Sequence, residues 1–303
     1  MPGGYQLITE LGSKGDRIQT SRAKDTNGEV VVKVHSTFVQ GEYDLWTGND
    51  LRAEVDRLCP YFDSLVAMPP TPGVAPWLRY HNLHRQRYFV LCRKYYPEST
   101  IDRFRPQSAV LNNSPAIDLS IAFQSLARGL DYLRDRLGGN YDRAFTPNHI
   151  FMDGQQAVLA DYGLEELHNI IEQGCGGTHP AWNRPLPVQV NPYDWLKFDW
   201  RKAETVLTCL AAVYFHVRTG HPLLTGRDWG TKSRLEQRRE IAENYVKLRD
   251  GDIDLSELPD SREQAAIAQA LGLNYNRRFS SCCEFVICLT EIASPVSEQV
   301  FCI

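Results

Sequence analysis

Apolar and polar positions alternate from Tyr5 to Leu11, the period-two pattern of a strand buried on one face, and Gly12-Ser13-Lys14-Gly15 predicts the turn after it. A second strand is expected from about Arg17 to Ala23. Thr26-Asn27-Gly28-Glu29 then separates it from Val30-Val31-Val32-Lys33-Val34, and Asn-Gly between two extended runs is a strong two-residue hairpin signal. Residues 50 to 58 change period. Leu51, Val55 and Leu58 recur at helical spacing, so a short amphipathic helix is expected there. A proline-rich connection at Met68-Pro69-Pro70-Thr71-Pro72-Gly73 leads to two more strands, Trp77 to Tyr80 and Arg87 to Cys92. Their polar tip carries His81, His84 and three arginines, read as a solvated hairpin end.

Beyond residue 96 the period is mostly helical. Ser114-Pro115 offers a capping oxygen followed by a ring suited to the first helical position, and Leu119, Ala122, Leu126, Leu130, Leu133 and Leu137 continue the buried stripe as far as Gly138-Gly139. Two short apolar runs follow, Ile150 to Met152 and Ala157 to Ala160, around an Asp153-Gly154 turn signal. Together they predict a small hairpin that delivers the Asp161 carboxylate at a strand end. An apolar helix is expected over 206 to 220, and further helices over 236 to 246, 261 to 271 and 280 to 292. Strands first and helices afterwards give an α+β chain.

Composition narrows the function classes. The chain has 303 residues, 43% apolar and 23% charged, an ordinary globular composition. A net charge of −4 gives no electrostatic footprint for nucleic acid. No apolar run has the length of a membrane span, and Met1-Pro2-Gly3-Gly4 leads straight into a strand-like segment, so neither a membrane nor a secretory leader is expected. The eight cysteines are scattered without metal-ligand spacing, which suits free thiols in a reducing cytoplasm.

The chemistry concentrates between Asp142 and Gly163, which reads Asp-Arg-Ala-Phe-Thr-Pro-Asn-His-Ile-Phe-Met-Asp-Gly-Gln-Gln-Ala-Val-Leu-Ala-Asp-Tyr-Gly. This stretch resembles the catalytic loop and metal-binding motif of the protein kinase family, His-Arg-Asp, four residues and Asn, then a hairpin and Asp-Phe-Gly. Asp161-Tyr162-Gly163 matches the metal-binding motif, and Thr146-Pro147 the usual Lys-Pro or Thr-Pro. The catalytic Asp position is Ala144 and the catalytic-loop Asn position is His149. A frame shifted by one inserted residue would instead bring Asp142 and Asn148 into those roles.

The resemblance extends over about residues 5 to 295. It implies a bilobal protein kinase-like fold, with a small antiparallel-sheet lobe (1–96) carrying one main helix and a larger, mostly helical lobe (97–303). It further implies that Lys33 pairs with nucleotide phosphates and with Glu54, that Gly12 and Gly15 belong to an eroded phosphate loop, and that Leu91 guards an adenine pocket beside a hinge at Arg93. Asp161 would coordinate Mg²⁺ or Mn²⁺, with His149 as a second candidate ligand. Two further positions depart from the family, Leu186 where a glutamate should end the activation segment and Val206 where an Asp should anchor the catalytic loop; Arg278 matches the distant arginine with which that glutamate normally pairs.

An Ala144 methyl cannot accept a substrate proton. The expectation is therefore a pseudokinase that binds ATP or ADP and regulates a partner protein, such as a kinase, phosphatase or other enzyme. Two alternatives stay open: an ATP-dependent transferase of phosphoryl or nucleotidyl groups using His149 or Asp142, and an interaction module that takes no nucleotide.

Overall fold

In the computed structural model the described residues are 4–14, 18–36, 48–83, 88–98, 100–106, 116–137, 145–164, 167, 170, 205–225, 231–273 and 278–293. They form a mixed α+β structure of two compact units. The first holds residues up to Pro97 together with the segment that begins at Ala160, and the second holds most of the remainder.

The first unit is built on a five-stranded antiparallel sheet in the order β1-β2-β3-β5-β4: β1 (Gln6–Lys14), β2 (Ile18–Asp25), β3 (Gly28–Ser36), β4 (Trp77–Leu83) and β5 (Tyr88–Lys94). The valine run explains why β3 is central. β-branched side chains suit a pleated surface, and Val30, Val31, Val32 and Val34 are all buried. The β2–β3 loop is Thr26-Asn27, one residue earlier than the Asn-Gly signal implies. Asp25 pairs with Gly28, the Asp25 carboxylate accepts the Asn27 N–H at 2.7 Å, and Gly28 takes the positive φ of 131°.

Alternation sorts the sheet into two faces. Val30, Val32, Val34, Val90 and Cys92 join Tyr5 and Ala23 in one apolar cluster. Lys33, Leu91 and Arg93 lie on the other face, where Lys33 is opposite Leu91 and Val31 opposite Arg93. Two helices follow β3, α1 (Gly48–Arg57) and α2 (Cys59–Val66). The sequence pattern suggests only the first of them; Pro60 opens α2 because its missing N–H is no loss there. Phe62 of α2 meets Phe89 with ring centroids 4.8 Å apart, and Tyr80 stacks on Phe89 at 5.5 Å.

The second unit contains the two-residue pair β6 (Arg105–Pro106) and β7 (Ala116–Ile117), the hairpin β8 (Ile150–Asp153) and β9 (Gln156–Leu159), and the helices α3 (Leu119–Leu137), α4 (Thr205–Thr219), α5 (Arg234–Asp250), α6 (Ser261–Leu271) and α7 (Cys282–Ala293). Helix α3 starts later than Ser114-Pro115 suggests. The capping oxygen is Asp118 Oδ1, which accepts the N–H groups of Ser120 at 2.9 Å and Ile121 at 3.2 Å.

Buried Ser125 of α3 explains how the hairpin is held. Its hydroxyl accepts the Ala157 N–H at 3.0 Å and lies 3.0 Å from the Ala157 carbonyl. In the hairpin loop Gly154 adopts φ 64°, and its N–H donates to Glu98 at 3.2 Å. Helices α4 and α6 are tied by Glu263, which is 4% exposed and accepts from Tyr214 Oη at 2.7 Å and Arg218 Nε at 2.9 Å. No helix among the described residues is long and apolar enough to cross a membrane.

Candidate functional site

Lys33 and Arg93 put two cations on one face of the sheet, from adjacent strands, and Asp161 meets both. Lys33 Nζ is 2.8 Å from Asp161 Oδ2, and Arg93 Nε donates to Asp161 Oδ1 at 2.9 Å. The side chains are 15%, 4% and 10% exposed for Lys33, Arg93 and Asp161, so desolvation makes each charge dependent on the others. A second donor of Arg93, Nη1, reaches its neighbour's carbonyl at Lys94, 3.1 Å away.

The segment carrying Asp161 is held at the two residues that follow it. Asp161 itself adopts φ 63°, the left-handed region that a non-glycine residue seldom enters. Trp77 Nε1 donates to the Tyr162 carbonyl at 3.2 Å, and the Tyr162 ring is 1% exposed. Gly163 follows at φ 74°, where an added Cβ would lie 2.7 Å from Tyr61 Oη and 3.0 Å from Leu65 Cδ1 of α2. Only glycine satisfies both conditions. Helix α2 itself is joined to β4 where Tyr80 Oη donates to Asp63 at 2.9 Å; burial first, and then this carboxylate, push the Tyr80 phenol above its ordinary pKa.

The ion pair expected between Lys33 and Glu54 is not among those of the described residues. Lys33 goes to Asp161, and Glu54 pairs with Arg57 one turn along α1. The physical reason is local: half-buried Glu54 finds a cation at i+3 on its own helix, while the Asp161 carboxylate lies within hydrogen-bond distance of Lys33.

Gly12 lies in β1, exposed and opposite Thr20. Leu91 is fully buried. His149 closes a turn: its Nδ1 faces the Thr146 N–H at 3.5 Å, and its own N–H donates to the Thr146 carbonyl at 2.9 Å. Val206 is buried at the start of α4, and Arg278 donates from Nη2 to the Leu271 carbonyl at 3.1 Å, lying over Gly272. Gly15, Asp142, Ala144 and Leu186 lie outside the described residues.

In the sequence, Arg93 stands at a hinge by its backbone, and its side chain has no assigned partner there. The signal was present in Tyr88-Phe89-Val90-Leu91-Cys92-Arg93, where the arginine ends a buried strand and shares the parity of Leu91. A buried arginine in such a strand requires an anionic partner. Trp77 and Tyr61 carry no comparable signal, because what they meet is a backbone carbonyl and a glycine far away in sequence.

These residues, as arranged, do not fit a divalent cation. A hard metal ion needs carboxylate oxygens open to it, and both oxygens of Asp161 already face a cation within hydrogen-bond distance. Among the described residues no group of three or more His, Cys, Asp and Glu side chains could hold a metal. The arrangement is an internally neutralised carboxylate beside a lysine. No protein-family profile and no curated protein matches the chain.

Proposed function

We propose that the chain is a pseudokinase: a bilobal protein kinase-like fold, catalytically silent, that works in the cytoplasm by contacting and regulating a partner protein such as a kinase, phosphatase or other enzyme. What supports the fold is the conjunction of a five-stranded antiparallel sheet with a lysine on β3, the β8–β9 hairpin ahead of Asp161-Tyr162-Gly163, and the buried helix α4 running into Thr219-Gly220. No one of these is specific to kinases. Their order along the chain is what supports the reading.

The observation that carries the function is the double clamp on Asp161. Phosphoryl transfer in this family depends on a metal ion bridging the nucleotide phosphates and on a carboxylate that takes the substrate hydroxyl proton. Here the carboxylate suited to the metal is held by Lys33 and Arg93, and the position suited to the base is Ala144. Both losses act on the same step, so a protein with either restored alone would stay inactive.

The test is incubation of the full chain with ATP labelled separately at the α and γ phosphates, in Mg²⁺ and in Mn²⁺, with general protein substrates. The expected result is no transfer above that of Lys33→Met. Transfer of either label that disappears in Asp161→Ala would overturn the reading.

A further inference from the structure

We propose that the first unit carries a metal-independent site for a phosphate-bearing anion, in which Arg93 does at Asp161 what a divalent cation would do and Lys33 meets the phosphate. The inference deepens the pseudokinase reading, and rests on it for the expectation that the anion is a nucleoside di- or triphosphate.

The charges make the case. Lys33, Arg93 and Asp161 sum to one positive charge, held at the sheet face by ion pairs of 2.8 and 2.9 Å. Arg93 is the more deeply buried cation, with its side chain 4% exposed and a further bond to the Lys94 carbonyl, so it stays with Asp161. Lys33 is the more open, at 15%. Its ammonium group has three N–H donors, and Asp161 is its one polar partner among the described residues. The remaining donors suit phosphate oxygens, for which a lysine ammonium acts as a compact point charge.

A metal in this family performs two tasks: it neutralises phosphate charge, and it neutralises the acidic group that would otherwise repel phosphate. Arg93 performs the second permanently. The Asp161 carboxylate, at φ 63°, held by Lys33 and Arg93 and followed by the Trp77 bond to Tyr162 and the tight packing of Gly163 on Tyr61, is not placed to swing away and recruit an ion. A divalent cation brought to either oxygen would stand beside two fixed positive charges. The site therefore trades a removable cation for a built-in one.

The experiment is calorimetric titration of the wild-type full chain with ATP, ADP, AMP and inorganic tripolyphosphate, each in EDTA and in Mg²⁺. We expect ATP and ADP to bind in EDTA with affinities within about threefold of those in Mg²⁺, and Lys33→Met to weaken binding by about tenfold or more. Tripolyphosphate binding as tightly as ATP would assign the site to phosphate chemistry alone; ATP binding better would assign it to nucleotide, and either agrees with the proposal. In Arg93→Met the expected result is binding that now requires Mg²⁺.

Wild-type binding that appears only with Mg²⁺, or no binding of any of these anions, overturns it. Because the wild type gives the decisive comparison, a poorly folded Arg93→Met does not rescue the idea. Failure here leaves catalytic silence untouched, since the label-transfer assay tests that separately.

Discussion

Trp77 Nε1 lies 3.2 Å from the Tyr162 carbonyl oxygen, a bond between the first residue of β4 and a segment 85 positions later in sequence. It holds the peptide that joins Tyr162 to Gly163, the second peptide after Asp161. Replacing Trp77 with Phe keeps an aromatic body against the Tyr162 ring, whose centroid is 6.0 Å away, and removes the donor. The expected cost is about 1–3 kcal/mol in urea unfolding, the value for leaving a buried carbonyl unsatisfied.

Two carboxylates that the sequence assigns to the same lysine should respond very differently to removal. Asp161→Ala strands two cations that are 15% and 4% exposed, and is expected to cost about 3 kcal/mol or more. Glu54→Ala removes a surface pair along one helix and should cost no more than about 0.5 kcal/mol. Chemical unfolding of the two variants distinguishes them. Equal losses would mean that Lys33 spends its time at Glu54.

Gly163→Ala is expected to destabilise the protein by about 1–3 kcal/mol, because φ 74° disfavours any Cβ and this Cβ would meet Tyr61 Oη. In a Tyr61→Phe background the steric part should shrink and the backbone part remain. The double-mutant cycle therefore reads a favourable coupling, visible in thermal melting. Strict additivity would show that Tyr61 does not pack here.

Alkaline pH should weaken the second unit through Tyr214. Burial first, and then the neighbouring Glu263 carboxylate, raise its pKa above the unfolded value of about 10. A raised folded pKa favours the protonated phenol in the native state, so its contribution is complete below pH ~10 and is lost as pH rises above that. Tyr214→Phe should cost about 2 kcal/mol at neutral pH, where it deletes a bond to a charged acceptor. That deficit should narrow steadily above pH ~10 in denaturant titrations. A deficit independent of pH would sink the assignment.

Much of the sheet was legible because the valine run and the alternating strands state their own periods, and Lys33 and Asp161 stand at the ends of clear patterns. What escaped was decided by competition between nearby alternatives. Thr26-Asn27 forms the turn because the Asp25 carboxylate caps it, and helix α3 begins after Asp118 because its oxygen reaches two amide groups, whereas Ser114 lies five residues before the first helical residue. The resemblance gives Glu54 a distant partner, whereas a cation one turn away holds it. Arg93 reads as backbone in the sequence because only the fold reveals the acid on its side of the sheet.

The clamp on Asp161 also has a bearing on how the sheet finds its alignment. Lys33 belongs to β3 and Arg93 to β5, and one carboxylate receives both only when Lys33 stands opposite Leu91 and Val31 opposite Arg93. A slip of β3 by a single residue would turn Lys33 into the layer formed by Val90, Cys92, Tyr5 and Ala23, burying a charge among apolar side chains with no acid to meet it. The three charged groups thus act as a proofreading device for strand pairing, penalising each misaligned neighbour of the native sheet.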